Sequence, residues 1–318
     1  MKTVCFIALL AVTVLAGALS GCEAAPPVTP APYSGEDWAI AFTRFDSGDW
    51  PEKIFLMDSD GTNLRQLTLE DGVRESFPRI SPDGTRIAFA RTTRDGTYDI
   101  YLMSPDGSGR TNITDSPWDD NMPSWSPDGE RIAFASSAVV GNMEIYVMAP
   151  DGSGRKQLTD DPARDILPAW SPDGSRIAFL SNRGGSNRWW VMDPDGSNQR
   201  LMYDVIVWDE ILNVPSLLLQ GTWGLPVYSD GLFLAPIITM EKQCVISIEV
   251  ARGKPGPLTY WDSLNALEAP DGSIVITAFN HDNSSYYIRL LSSGQAQFLT
   301  SSPEQDIASS CAILSSTN

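Results

Sequence analysis

Histidine is almost missing from this sequence: His281 is the single copy, in Asn280-His281-Asp282-Asn283, and it reads as an exposed loop residue. Zinc motifs built on two histidines are therefore excluded. The Gly-x-Ser-x-Gly elbow of serine hydrolases is missing too. Ser186 has Gly184 two residues before it but Arg188 where the second glycine belongs. No glycine-rich phosphate loop with its lysine is present. Positive charge is scarce, with 22 Lys and Arg against 40 Asp and Glu and a net charge of −18. Such a balance repels phosphate backbones, which excludes nucleic acid as a partner, and it helps keep a folded chain soluble. The four cysteines are too few and too scattered for a disulfide framework.

The N-terminus is read apart from the fold. Lys2 precedes an apolar run from Val4 to Ala18, which is too short for a spanning helix. The run ends in Leu19-Ser20-Gly21-Cys22, which resembles the lipobox of bacterial lipoproteins. That resemblance implies a signal peptide over 1–21, cleavage before Cys22, and a lipid on Cys22 that anchors the exported chain to the cell envelope. Residues 22–36, with four prolines between Glu23 and Gly35, read as an extended tether to a folded domain over 37–318. Cys244 and Cys311 fall in non-neighbouring repeats and are expected to be buried and free.

Repetition decides the fold class. Ser-Pro-Asp-Gly occurs at 81–84, 126–129 and 171–174, with 45 residues between copies. Each copy runs into a similar strand, as in Arg86-Ile87-Ala88-Phe89, Arg131-Ile132-Ala133-Phe134 and Arg176-Ile177-Ala178-Phe179. An aromatic-rich strand follows, then an Asp-Gly turn at 60–61, 106–107, 151–152 or 195–196, then a short strand ending in Leu67-Thr68, Ile113-Thr114 or Leu158-Thr159. Proline presets the first corner of a tight turn and glycine supplies its positive φ. Alternation of Ile87 and Phe89 with Ala88 and Ala90 makes both faces of the strand apolar, as a sheet sandwiched between two others requires. Four short strands every 40–45 residues with two apolar faces define a β-propeller.

The expected architecture is all-β, a six-bladed propeller closed by the C-terminal strand. Blades two to four start near Phe77, Met122 and Leu167; a degenerate fifth lies around 225–259 and a sixth around 266–300. The first unit, Trp38 to Thr68, lacks its opening strand. The tail supplies it, because Asp306 to Ala312 matches Asp165 to Ser171 in register. Residues 204–221 exceed the other inter-blade links and are read as an insertion.

The consensus Pro-x-Trp-Ser-Pro-Asp-Gly-x-Arg-Ile-Ala-Phe, followed by Ile-Tyr-x-Met-x-x-Asp-Gly and Leu-Thr, resembles the TolB-type, WD-like propeller repeat from Trp38 onward. The resemblance implies a periplasmic or surface-exposed binding module. Its motif residues make turns and core, so they specify fold and not activity. The family's founding member carries an added N-terminal α/β domain, for which this chain has no room. The hydrolase domain that accompanies such repeats in prolyl-oligopeptidase-like enzymes is expected to be absent as well.

Candidate site residues come from propeller geometry. Glu75, Asp120, Asp165 and Asp306 each stand three residues before the proline position of strand one, in the loop entering it. They would form a partial ring of carboxylates at one mouth of the channel, attracting a cation or a basic segment, unless each caps its own loop. Trp50, Tyr98, Trp118 and Tyr286 are placed in inter-strand loops near that mouth, where aromatics anchor interfaces or stack on sugars. Trp125 and Trp170 sit inside strand one and are assigned to the core. Asp58-Ser59-Asp60-Gly61 and Asp193-Pro194-Asp195-Gly196 mimic calcium loops but lack the terminal glutamate. They read as hairpin turns. Taken together, the sequence predicts a monomeric, lipid-anchored binding or scaffold module without cofactor, metal or catalytic residues, recognising an envelope protein, a peptide or a glycan. The alternative is a carbohydrate-active enzyme using two mouth carboxylates as acid and base.

Overall fold

A computed structural model describes the backbone of residues 38–45, 52–139, 142–207, 227–229, 232–238, 243–249, 254–261, 263–268, 274–280, 285–292, 295–300 and 305–313. Side chains are described for 38–44, 52–138, 142–202, 288, 299 and 300. The chain divides into two units, 1–31 and 32–318. The first lies outside the described residues, and with it the signal peptide, Cys22 and most of the tether.

The described residues are all-β. The first sheet holds β1 (Trp38–Phe45), β2 (Glu52–Asp58) and β3 (Arg65–Gln66); the second holds β4 (Glu75–Ile80), β5 (Ile87–Thr92), β6 (Tyr98–Met103) and β7 (Thr111–Asn112). In the third are β8 (Asp120–Trp125), β9 (Ile132–Val139), β10 (Asn142–Met148) and β11 (Lys156–Gln157). The fourth contains β12 (Asp165–Trp170), β13 (Ile177–Ser181), β14 (Asn187–Met192) and β15 (Arg200–Val207). Next come β16 (Val227–Ser229), β17 (Leu232–Ile238), β18 (Gln243–Glu249) and β19 (Lys254–Trp261) in the fifth sheet. The sixth has β20 (Ser263–Glu268), β21 (Ile274–Asn280), β22 (Ser285–Ser292) and β23 (Gln295–Phe298). The last strand, β24 (Gln305–Ile313), pairs antiparallel with β1, with Arg44 opposite Asp306 and Trp38 opposite Ile313.

Side-chain size explains how the sheets stack. Ile87 and Phe89 of β5 pack on Ala39 and Ala41 of the first sheet. Ile132 and Phe134 meet Ala88 of the second sheet, and Ile177 and Phe179 meet Ala133 and Ala135 of the third. A large face thus fills the shallow face of the sheet before it. All these residues are fully buried, and each Phe or Ile contributes about 1.5–3 kcal/mol through burial. Trp125 and Trp170 belong to the same cores, as expected.

The Ser-Pro-Asp-Gly turns close as the chemistry requires. At the first, Gly84 has φ 69°, Ser81 N–H donates to Arg86 O at 2.8 Å, and the Asp83 carboxylate accepts from the Ser81 hydroxyl at 2.5 Å. In the third copy, the Ser171 hydroxyl and the Ser175 N–H hold the exposed Asp173 carboxyl at about 2. The Asp-Gly turns do a second job, because they touch the preceding sheet. A Cβ on Gly152 would stand 2.3 Å from Ile113 O, so the absent side chain sets how closely the two sheets approach.

Two boundaries differ from expectation. The first strands of sheets two to four begin at the acids Glu75, Asp120 and Asp165, two residues before Phe77, Met122 and Leu167. Residues 204–207, read as the start of an insertion, belong to β15 and pair with β14, Asn187 lying opposite Val207. Residues 208–226 lie outside the described residues. So do the side chains of Cys244 and Cys311, the loop carrying His281, and Trp50.

Candidate functional site

The inner strands β4, β8 and β12 all begin at the end of the fold where the inter-sheet connections 67–74, 113–119 and 158–164 arrive. Each opens with its acid, and two residues later takes a left-handed backbone at a bulky residue: Phe77 (φ 54°), Met122 (φ 57°) and Leu167 (φ 55°). The following residue is proline each time, and the pairing register slips at the same place. A β-bulge of this kind re-aims the side chains on either side of it, and a bulky residue holds positive φ only when its surroundings force it.

The acids are not presented as a free ring. Glu75, Asp120 and Asp165 are fully buried, and each is held by an arginine. Glu75 Oε1 takes Arg91 at 3.3 Å. Asp120 makes a two-pronged pair with Arg155, at 2.8 and 2.9 Å, and also accepts from the Ser116 hydroxyl at 2.8 Å. Asp165 Oδ2 accepts from Arg183. Every one of these guanidiniums also lies over an aromatic ring of its own sheet. Arg91 stacks on Tyr101 at 5.4 Å, Arg155 on Tyr146 at 4.9 Å and Arg183 on Trp190 at 4.7 Å. In the first sheet Arg44 lies 4.5 Å over Phe55 and stands opposite Asp306, so the backbone repeats the arrangement there. The side chain of Asp306 lies outside the described residues.

The arginines come from different places. Arg44 and Arg91 occupy equivalent positions of β1 and β5. At that position β9 and β13 carry Ser136 and Ser181 instead. Arg155 then reaches in from the turn before β11 and donates to Ser136 Oγ at 2.6 Å. Arg183 comes from the loop after β13 and donates to Ser181 Oγ at 2.9 Å. Serine makes room for the incoming guanidinium and braces it. Sequence reasoning missed these partners because they do not recur at one repeat position.

A second repeated device explains the Leu-Thr signature. The hydroxyls of Thr68, Thr114, Thr159 and Thr300 accept from the N–H of Ile54, Ile100, Ile145 and Ile288 at 2.9–3.0 Å. Thr114 and Thr159 donate onward, to Asp99 Oδ1 at 3.0 Å and to Glu144 Oε2 at 2.6 Å. Lys53, Asp99 and Glu144 each stand one residue before the isoleucine so bound, and therefore occupy one equivalent position. Lys53 meets Glu75 Oε2 at 3.6 Å. Glu144, by contrast, faces the buried Asp165; burial is the main cause that lifts its carboxyl to about 7, and the Asp165 charge adds to it. Burial also raises Asp165, against the pull of Ser181 and Arg183. Glu52, the first residue of β2, is lifted to about 7 by burial despite the Ser76 hydroxyl and Arg74.

The aromatics separate into two groups. Tyr98 is the first residue of β6, not a loop residue, and only 3% exposed. Burial raises its hydroxyl pKa, because the site hides the phenol from solvent. Tyr286 lies within β22, paired with Phe279, and so is not in a loop either. Trp118 stays exposed at 38%, in the connection between the second and third sheets, and Leu69 in the preceding connection is 69% exposed. Exposed acids flank both: Glu70 and Asp71 beside Leu69, Asp115 near Trp118. At the opposite end, Arg131, Lys156, Arg176 and Asp193 line a groove of about 580 Å³. Its cations are engaged internally, Arg176 by Asp193 and Lys156 by Asp195 O. Among the described residues no three His, Cys, Asp or Glu side chains gather into a metal cluster.

Repeated four-stranded sheets packed face to face, with acid, arginine and aromatic brackets at one end, define a β-propeller repeat protein. The sequence matches the TolB β-propeller domain over residues 19–139 and again over 110–214, more than half of the chain, and it belongs to that family. Solved structures agree on the fold. TolB from Acinetobacter baumannii is similar at 19% identity and a TM-score of 0.65, covering 89% of this chain and 68% of that one. A chain of a nidogen/laminin complex is similar at 11% identity and a TM-score of 0.61, covering 88% of this chain and all of its own. A puromycin-hydrolyzing peptidase of Mycobacterium tuberculosis shares 12% identity at a TM-score of 0.53, and this chain spans 45% of its length. No curated protein matches the sequence.

Proposed function

We propose that this chain is a lipid-anchored, extracytoplasmic binding module whose six sheets close into one propeller, and that it recognises a protein, peptide or glycan at the end where the inner strands begin. The observation that carries this reading is the exposed pair Leu69 and Trp118 on successive connections at that end, with the exposed acids Asp71 and Asp115 beside them and Glu70 paired with Arg91. Large apolar side chains left in water on neighbouring loops mark interaction surfaces. The family and the fold support a scaffold for interaction. Closure of the ring is supported by β24 pairing with β1 and by Ile288 of the sixth sheet sharing a core cluster with Ile40 and Phe42. Gly61 also approaches Leu299 O as Gly107 approaches Leu67 O, repeating one inter-sheet contact across the join.

A hydrolytic role is not favoured. An acid–base pair needs one carboxyl free to give a proton and another free to take it, while Glu75, Asp120 and Asp165 are bound in ion pairs. The proposal is tested by placing a photo-crosslinking residue at Trp118 or, on the opposite end, at Asp151, in the membrane-anchored protein. A defined partner captured from position 118 alone, and lost in Leu69→Ser, is expected; equal capture from both ends refutes the reading. Lipid attachment at Cys22 is tested by alkyne-palmitate labelling, which Cys22→Ser must abolish.

A further inference from the structure

Exposed acids stand at both ends of the fold, and those at one end have a structural role. In the Asp-Gly turns, at the end away from the inner-strand starts, Asp60, Asp106, Asp151 and Asp195 each accept from the N–H two residues on, at 2.9 Å. A carboxylate there closes its own turn. The connections at the other end differ. Asp71, Asp115 and Asp160 are exposed, one on each of three successive connections, and among the described residues none of their carboxylates accepts a hydrogen bond or meets a cation. Asp115 and Asp160 directly follow the threonines of the Leu-Thr signature, and in the first connection Leu69 takes that position, 69% exposed. The cations of these connections are withdrawn. Arg74 acts on the buried Glu52 and Tyr98, and burial lowers the pKa of the half-buried Arg164. Asp119 and Asp161 are occupied, accepting from the N–H of Tyr98 and Ala163. On the β5–β6 loop at the same end, exposed Arg94 and Asp95 offset each other. Three unanswered negative charges therefore lie across neighbouring connections, beside Leu69 and Trp118, with no part in holding the fold.

We propose that this surface binds a basic polypeptide segment, with Leu69 and Trp118 seating apolar side chains and Asp71, Asp115 and Asp160 meeting lysines or arginines. The proposal rests on the reading of this end as the recognition surface, and it fixes the chemistry of the partner. Charges spread over three connections require a ligand that carries several cations. Apolar side chains among those charges require the ligand to mix cations with apolar groups, as a polypeptide does and a neutral or acidic glycan does not. Trp118 suits both parts, because an indole face takes an apolar side chain or a guanidinium. The net charge of −18 adds a long-range pull on such a segment and speeds encounter at low salt. The buried acids Glu75, Asp120 and Asp165 take no part, since arginines of the chain hold them.

The test is fluorescence anisotropy of labelled peptides with the whole mature protein in a neutral detergent, at about 50 mM and about 300 mM salt, between which screening increases. The basic probe is Gly-Lys-Trp-Lys-Gly-Lys-Leu-Lys-Gly. One control peptide replaces every Lys by Glu, and another replaces Trp and Leu by Ser. The basic probe should bind at least about tenfold tighter than the acidic control and several-fold tighter than the serine control. Asp71→Asn, Asp115→Asn and Asp160→Asn together should weaken it about tenfold at the lower salt, each exposed pair being worth about two- to threefold, and much less at the higher salt. Asp106→Asn, Asp151→Asn and Asp195→Asn together remove the same charge from the opposite end and keep an oxygen for each turn; affinity should change by less than about twofold. Equal weakening by the two triple variants, or a basic probe no tighter than the acidic one, overturns the proposal. A partner captured from position 118 whose binding ignores these three charges overturns the basic chemistry and leaves the recognition surface standing, whereas equal capture from both ends removes the surface itself.

Discussion

Glu52 gives the sharpest quantitative test of the packing described above. Its carboxyl is buried between the first and second sheets, Oε2 lacks a hydrogen-bond partner, and its pKa is lifted from 4.5 to about 7. Below pH 4.5 the group is protonated in folded and unfolded chains alike and costs nothing. Between 4.5 and 7 the unfolded chain releases its proton while the fold retains it, so stability falls as pH rises. Above 7 the penalty is complete. At 1.36 kcal/mol per pKa unit it amounts to about 3 kcal/mol. Replacing Glu52 by Gln removes the titration and keeps the volume. Urea unfolding followed by tryptophan fluorescence at pH 4.5, 6, 7 and 8, at fixed ionic strength, measures the difference between the two proteins. Glu144 and every other acid titrate in both and cancel. The advantage of Glu52→Gln should grow by about 3 kcal/mol from pH 4.5 to pH 8, worth roughly 6 °C in Tm for a domain of this size. A difference that stays flat across that range, or a variant that loses ground as pH rises, refutes the account of Glu52.

Other perturbations read the remaining devices. Arg155→Met leaves Asp120 buried without its cation and should cost about 3–5 kcal/mol in denaturant unfolding, most of it recovered when Asp120→Asn is added. Thr159→Val strands the Ile145 N–H and a Glu144 oxygen, an expected loss of about 1–3 kcal/mol. Gly152→Ala and Gly154→Ala both place a Cβ at positive φ, but only the first meets a carbonyl; Gly154→Ala should cost about 1 kcal/mol and Gly152→Ala clearly more, seen as a lower melting temperature. Trp118→Ala should change stability by no more than about 0.5 kcal/mol while abolishing capture by a photo-crosslinking residue placed instead at Asp71, in the preceding connection.

The repeat was legible because its turns and cores use the same residues in every unit. Ser-Pro-Asp-Gly fixes a turn within four residues, and the Ile-x-Phe and Ala-x-Ala faces of one strand encode both sides of the sheet stack. Strand starts were misjudged by two residues for a physical reason. The bulges at Phe77, Met122 and Leu167 interrupt the alternation that announces a strand, so Glu75, Asp120 and Asp165 looked like loop residues when they are the first strand residues. Tyr98 was misplaced in the same way: it opens β6 and points into the interior, where a short polar loop before it suggested exposure. The end of β15 could not be separated from the segment after it, because the outer strand carries no turn signature at its far end.

What a linear pattern hides is compensation between positions. The acid at the head of each inner strand recurs in sequence, and taken alone it suggests a ring of free charge. Its partner recurs only in space, as Arg91 from the neighbouring strand, Arg155 from a turn beyond two strands and Arg183 from a loop two residues past Ser181. Desolvating a carboxylate at this depth is unfavourable by several kcal/mol unless a cation accompanies it, so each acid retained at this position requires a guanidinium from somewhere, and the aromatic ring beneath gives that guanidinium a fixed seat. Conservation of charge at a site, and not of residue at a position, is what the repeats maintain. At Glu144 the chain answers with neutral donors instead: Thr159 and Asn142 each donate to one of its oxygens, and burial lifts its pKa to about 7, so the buried acid is met by losing its charge and not by gaining a cation.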